Sequence, residues 1–266
     1  MGPKASCRVT DESRTRALLA RYLRQRRELG ERVWYVDEVG GPDLIEEAAV
    51  ADYGSARSGP VAPTRAPPVE AAADDPFDAL RAEALGCTRC RLAEGRTTVV
   101  FGEGDQHADL LVIGEAPGHE EDRSGRPFVG PAGKLLDKML AAIGFRRDEV
   151  FICNVLKCRP PGNRDPVADE VASCWPYLRK QVELIRPKAI CAFGRFAAQT
   201  LLGTEKSLGR LRGDQHVFMG TPVVVTYHPA ALLRNTQWKR PAWEDLKMLR
   251  RIYDEAGGRT PGGGHG

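Results

Sequence analysis

Four short apolar runs rich in β-forming residues recur through the chain, at residues 110–113, 150–153, 189–193 and 222–226. Between them, apolar positions return at helical spacing over residues 132–143, 166–185 and 196–202, and a further helical pattern at 241–253 closes the series. Strands alternating with helices predict a mainly parallel sheet covered on both faces. The expected architecture is therefore a three-layer α/β fold, with a central, mainly parallel four-stranded sheet flanked by helices. Pro166 and Pro241 suit first-turn positions, where no amide donor is needed. Each strand runs into a polar, turn-forming segment: Gly114-Glu115-Ala116-Pro117-Gly118, residues 154–158, Gly194-Arg195 and Tyr227-His228-Pro229. Open α/β sheets bind ligands outside the carboxyl ends of their strands, so these segments are expected to converge on one crevice.

The part before this pattern reads differently. Residues 11–29 form an amphipathic helical pattern, with Leu18, Leu19, Tyr22 and Leu23 on one side and a basic face opposite. Residues 54–76 are rich in Gly, Pro, Ala and Ser, which predicts a linker without fixed structure. The expected organisation is a helical extension over 1–53, an acidic linker over 54–76, a catalytic domain over 77–256 and a glycine-rich disordered tail over 257–266.

Composition narrows the class. With 42% hydrophobic and 28% charged residues the chain reads as a soluble globular protein. No apolar run approaches the ~20 residues of a membrane span. Leu18-Leu19-Ala20 is followed at once by Arg21, so no hydrophobic leader core is present. A cytoplasmic, reducing setting without membrane partners is expected. The net charge of +3 hides an asymmetry: residues 37–78 hold ten acidic and two basic residues, whereas residues 87–253 hold 26 basic and 19 acidic ones. The second stretch is the one suited to a polyanion, although an ordinary solvated surface would carry the same balance.

Seven cysteines in a chain of this length do not suggest a disulfide framework. Cys153 and Cys191 sit inside apolar runs and read as buried thiols, and Cys7 stands alone. Cys87, Cys90, Cys158 and Cys174 remain. The C-x2-C clip lets two thiolates chelate one centre, with the distant pair closing its other side. Arg89, Arg91 and Arg159 beside these sulfurs would favour thiolate. Zinc and an iron–sulfur cluster both accept four thiolates, and spacing does not separate them.

From Cys87 onward the chain resembles the family 4 uracil-DNA glycosylases, the iron–sulfur group of their superfamily. The likeness covers roughly residues 79–253. It rests on Gly114-Glu115-Ala116-Pro117-Gly118, then Glu121-Asp122 and Gly125-Arg126-Pro127-Phe128-Val129-Gly130. Asn154-Val155-Leu156-Lys157-Cys158-Arg159-Pro160-Pro161-Gly162-Asn163-Arg164 and His228-Pro229-Ala230-Ala231-Leu232-Leu233-Arg234 complete it. The resemblance implies a monofunctional hydrolase that removes uracil from DNA, with the four cysteines holding a [4Fe–4S] cluster in preference to zinc. It also implies a glycosylase-like fold, a monomer, uracil-containing DNA as substrate, and a nucleoid-associated place upstream of abasic-site repair enzymes.

The roles follow from the reaction. Breaking the glycosidic bond leaves an oxocarbenium-like sugar and a uracil anion, so the base must be flipped, bound and stabilised. Phe128 offers a stacking face. Asn154 matches the O4 and N3–H edge of uracil and rejects cytosine. His228 matches the donor toward O2. Glu115 and Ala116 line the base, Glu115 through its backbone. Ala116 stands where the best-known sister family carries an aspartate, which leaves Glu121 as the substitute for positioning water. That role predicts a smaller loss from Glu121→Ala than from Asn154→Ala or His228→Ala. Gly118 replaces the sister family's bulky tyrosine, so thymine is rejected elsewhere, on the Glu121 and Phe128 side. Ser207, Arg210 and Arg212 are expected on phosphates, with Arg159 and Arg164 extending that surface. Leu232, Leu233 and Arg234 are expected as the wedge behind the flipped base. A non-catalytic iron–sulfur DNA-binding module is the alternative. A covalent DNA-trapping relative is disfavoured, because residues 159–166 contain no histidine.

Overall fold

The computed structural model describes residues 75–259; the helical pattern at 11–29, most of the linker, Cys7 and the end of the tail lie outside them. The first described helix, α1 (Pro76–Leu85), is capped by Asp75, whose carboxylate accepts from Phe77 N at 2.8 Å. A short α2 (Leu92–Gly95) follows the C-x2-C clip. Then come β1 (Glu103–Gly104), β2 (Leu110–Gly114), α3 (His119–Ser124), α4 (Pro131–Ala142), β3 (Phe151–Asn154) and α5 (Ala168–Ile185). The chain continues through β4 (Ala189–Phe193), α6 (Arg195–Leu202), α7 (Leu208–Leu211), β5 (Gln215–Phe218), β6 (Thr221–Thr226), α8 (Pro229–Arg234) and α9 (Lys239–Glu255).

The sheet has six strands in the order β1-β3-β2-β4-β6-β5. Its middle is the expected set of four, all parallel. The expectation of four strands is corrected at both margins, where β1 and β5 add antiparallel edges. Along β2 and β4 every residue is buried, because side chains alternate between two covered faces. Leu111, Ile113, Ile190 and Ala192 join one core with residues of α1, α5 and α6. Leu110, Val112, Cys191 and Phe193 join the other with residues of α4 and α9. No described helix is long and apolar enough to cross a membrane.

Two helix starts differ from expectation. Helix α5 begins at Ala168 behind an extended Val167, which leaves Pro166 just outside it. Helix α9 starts at Lys239, two residues before Pro241. Of the glycine-rich tail, residues 257–259 are held in place: Arg259 bonds Asp105 and Asp109, and Tyr253 donates its hydroxyl to the Arg259 carbonyl.

Two fully or nearly buried carboxylates fasten segments far apart in sequence. Asp245 on α9 accepts from Thr226 Oγ1 at 2.7 Å and pairs with Arg212 at 2.8 Å. Glu170, on the first turn of α5 and without exposed surface, accepts from Val167 N, both Arg164 nitrogens and Arg91 Nε. It thus ties the loop after Cys158 to the segment after Cys90.

These bonds, those from Arg164 foremost and against the cost of burial, hold Glu170 at about 2. A depressed carboxyl stabilises the fold above its unfolded value, and that stability is lost as pH falls through the folded value. Allowing for the partly exposed arginines, Glu170→Gln should cost about 2 kcal/mol at pH 7. The difference from the parent should shrink between about pH 4.5 and 2, as read by chemical denaturation across pH.

Candidate active site

The order β3-β2-β4 places the topological switch beside β2, where the chain leaves in opposite directions. Gly114, the last residue of β2, lies in register with Asn154, the last of β3. A side chain on Gly114 would put its Cβ 2.3 Å from Asn154 Oδ1 and 2.5 Å from Phe128 Cζ. Only glycine lets the asparagine amide and the phenyl ring share this space. Asn154 is 2% exposed, and its Oδ1 has no hydrogen-bond partner. Buried polar atoms are seldom left so, because the loss of water costs ~1–3 kcal/mol.

Phe128 is 5% exposed and stacks on the His228 ring, with centroids 5.4 Å apart and planes inclined by 28°. His228 follows β6 and caps α8; its Nδ1 accepts from Ala230 N at 3.2 Å. Nδ1 is therefore the acceptor of the neutral ring, which leaves the proton on Nε2. Burial first, then the charge of Arg234, pushes the imidazole down to about 4 against the pull of Glu121. His228 is neutral at physiological pH. Behind it, Gly194 adopts φ 92°, and a Cβ there would come 3.1 Å from His228 Cβ.

Glu121 does not stand free as a base for water. Its Oε2 accepts from Gly118 N at 3.1 Å, and its Oε1 accepts from Val129 N at 2.9 Å and Gly130 N at 3.3 Å. The carboxylate closes the start of α3 and holds the Phe128 loop. A Cβ on Gly118 would lie 2.7 Å from Glu121 Oε2, so the glutamate fills the space a larger residue would take. Its neighbour Asp122 turns the other way and accepts twice from Thr97 N.

Glu115 is the carboxylate whose titration is displaced toward neutrality. Burial and the negative charge of Asp165 raise it to about 7, opposed by Arg195. Its backbone carbonyl accepts from Leu156 N, so that oxygen is already engaged. Ala116 packs against the apolar group around Cys158, Cys174, Leu92 and Leu156.

Cys87, Cys90, Cys158 and Cys174 line one cavity together with Arg96, Lys157 and Tyr177. Among the described residues, no group of three or more His, Cys, Asp or Glu side chains is placed to hold a metal ion. The cationic donor on a sulfur is not the expected Arg89, Arg91 or Arg159. Arg89 pairs with Glu83, Arg91 with Glu170 and Asp169, and Arg159 bonds Asn163. Arg96 instead reaches Cys158 Sγ at 3.3 Å, and Lys157 N points at Cys174 Sγ. Burial raises both thiols, Cys174 to about 11. The buried Lys157 ammonium donates to the Asn154 carbonyl at 2.8 Å and to Gln181 Oε1 at 2.6 Å. One lysine thus spans the cysteine cavity and the asparagine strand.

The expected phosphate and wedge residues separate. Ser207 and Arg210 are exposed around α7, but Arg212 is committed to buried Asp245 and lies 4.1 Å over the Tyr227 ring. Arg164 is likewise committed to Glu170. Leu232 is 1% exposed in the core, whereas Leu233 is 47% exposed and Arg234 faces solvent. Sequence reasoning passed over Arg96, Lys157's side chain and Arg147, whose guanidinium holds the carbonyls of Pro127 and Phe128. Nothing in local sequence marks an arginine as buried.

Comparison with known proteins agrees with this layout. Residues 101–247 match the uracil DNA glycosylase superfamily. A type-4 uracil-DNA glycosylase of Sulfurisphaera tokodaii is 42% identical over 187 residues, which is 67% of this chain and 85% of that protein. Type-4 enzymes of Archaeoglobus fulgidus and Thermotoga maritima are each 42% identical, covering 65% and 64% of this chain and 91% of each relative. The chain belongs to the uracil DNA glycosylase superfamily, and within it to the type-4 group.

Proposed function

We propose that this protein excises uracil from DNA by hydrolysing its N-glycosidic bond, leaving an abasic site for downstream repair enzymes. The observation that carries this reading is the orphaned Oδ1 of Asn154 beside Phe128 and a neutral His228. Uracil N3–H supplies the donor that Oδ1 lacks, and the amide nitrogen faces O4. Cytosine has no hydrogen on N3 and would leave the oxygen orphaned, which disfavours it. Phe128 stacks on the flipped ring. His228 Nε2–H donates to O2 as charge develops there, and its neutrality avoids giving up a proton. Glu121 serves by shape: it blocks the side of the pocket next to Gly118, where the C5 methyl of thymine would lie, and keeps the Phe128 loop closed. A non-catalytic binding module would have no use for a polar atom kept unpaired in a buried pocket.

Glu115 is the candidate to orient the attacking water. A carboxyl near 7 matches the operating pH of a general base. Around the pocket, Ser207, Arg210 and Arg234 bind phosphates, and Leu233 fills the gap left by the base. Arg212 and Leu232 support these residues from inside.

The four cysteines suit a [4Fe–4S] cluster. A single zinc needs four sulfurs at ~2.3 Å from one centre, whereas here the sulfurs ring a cavity without meeting at one point. The donors from Arg96 and Lys157 offset thiolate charge. Bound with all four ligands, such a cluster supplies a rigid structural crosslink with no open iron.

His228→Ala and Asn154→Ala should each slow single-turnover uracil release by about 10²–10³-fold. Glu121→Ala should cost less on uracil yet narrow the preference for uracil over mismatched thymine; an unchanged preference would remove its role in the pocket. The parent rate should fall as pH drops below about 7, where Glu115 gains its proton. Glu115→Gln should be slow throughout and lose that limb, while His228, at about 4, contributes nothing there. Purified protein should carry iron and sulfide in equal amounts and absorb in the visible. Cys158→Ser should lose both; stoichiometric zinc in the parent would overturn the cluster.

A further inference from the structure

Phe128 holds an unusual backbone conformation for a bulky aromatic residue, with φ 51°. L side chains rarely adopt this region, so surrounding contacts must over-determine it. Three groups do so, from three separate parts of the chain. Glu121 gathers the amides of Val129 and Gly130 just after the ring. Gly133, on α4, leaves room that no other residue would: a Cβ there would lie 1.7 Å from the Phe128 carbonyl oxygen. Arg147, in the turn before β3, donates from Nη1 to the Phe128 carbonyl at 3.1 Å and from Nη2 to the Pro127 carbonyl.

Arg147 is itself pinned. Its guanidinium pairs with Asp137 at 2.9 Å and with Glu103 at 3.4 Å, and its Nε is buried without a partner. Glu103, on the edge strand β1, also takes both donors of Arg126, the residue before Pro127. The two carbonyls flanking the Pro127–Phe128 peptide are thus turned onto one rigid fork. Lysine has a single donor centre on a flexible stem and cannot reproduce it.

We infer that Arg147 is a positioning residue of the pocket: it holds Phe128 in its left-handed conformation, so that the ring is set for the extruded base before DNA arrives. Arg147 touches neither substrate nor reacting atoms and acts through Phe128 alone. The inference rests on the reading of Phe128 as the stacking face.

A double-mutant cycle tests it in the full chain, with single-turnover rates on uracil-containing DNA and inhibition by free uracil as readouts. Arg147→Lys should slow uracil release about tenfold or more, the penalty of a misplaced group in a preorganised site. It should weaken inhibition by free uracil in proportion, while half-saturation by DNA, set by phosphate contacts, stays within about twofold. In a Phe128→Leu background the same substitution should add less than about twofold. Asp137→Asn, which removes an ion pair and leaves the carbonyl clamp, should lower thermal stability without changing the rate. If Arg147→Lys fails to fold, Gly133→Ala presses on the same carbonyl from the other side and should show the same non-additivity with Phe128→Leu. Equal fold losses from Arg147→Lys in both backgrounds, or parent-like rates, would overturn the inference. A parent-like Phe128→Leu would instead remove the stacking reading on which it rests.

Discussion

Parallel pairing of β2 with β3 puts Gly114 beside Asn154, and the pocket is built outward from that pair. The pairing is held by burial on both faces of the sheet, where a slip of one residue would send each side chain to the opposite core. Because the register is fixed there, the last residue of each strand is fixed too. Asn154 ends β3, Glu115 follows β2, Gly194 follows β4 and His228 follows β6 after one intervening tyrosine. The chemistry is laid on the ends of a scaffold that has no freedom to shift.

Around that scaffold, carboxylates act mostly on backbone and arginine rather than on substrate. Glu121 collects three amides, Asp122 one, Glu170 an amide and two arginines, and Asp245 a hydroxyl and an arginine. Each binds segments that are distant in sequence or would otherwise be open loops. Two titratable groups near the crevice are displaced toward neutrality. Burial lowers His228 and raises Glu115, so both lose charge for the same reason. The sheet ends exclude water well enough to change what these side chains are.

The interior strands were legible because burial on both faces writes a continuous apolar run. The edges were not. β1 is only Glu103–Gly104, too short to carry a pattern, and β5 alternates weakly through Gln215, His216, Val217 and Phe218. Phe128, Asn154 and His228 were legible through their motifs; local pattern alone makes them a core ring, a cap and a loop histidine. The misreadings share one cause. Arg212 sits in a loop that looks suited to phosphate, but its charge is taken by Asp245, 33 positions away. Leu232 and Leu233 are neighbours in sequence, yet adjacent helical residues point about 100° apart, so one enters the core while the other faces out. Arg147 reaches Phe128 across 19 positions, a distance at which sequence order gives no hint of contact.

The empty acceptor on Asn154 has one more consequence. A buried oxygen without a donor works against the folded state for as long as the pocket is vacant, by ~1–3 kcal/mol. The resting enzyme is therefore less stable than its own fold permits, and the deficit sits at a single atom. Recognition repairs it: the base that fits completes the protein's internal hydrogen bonding as well as its own. The pocket is a local defect in the fold, kept because its cure is the substrate.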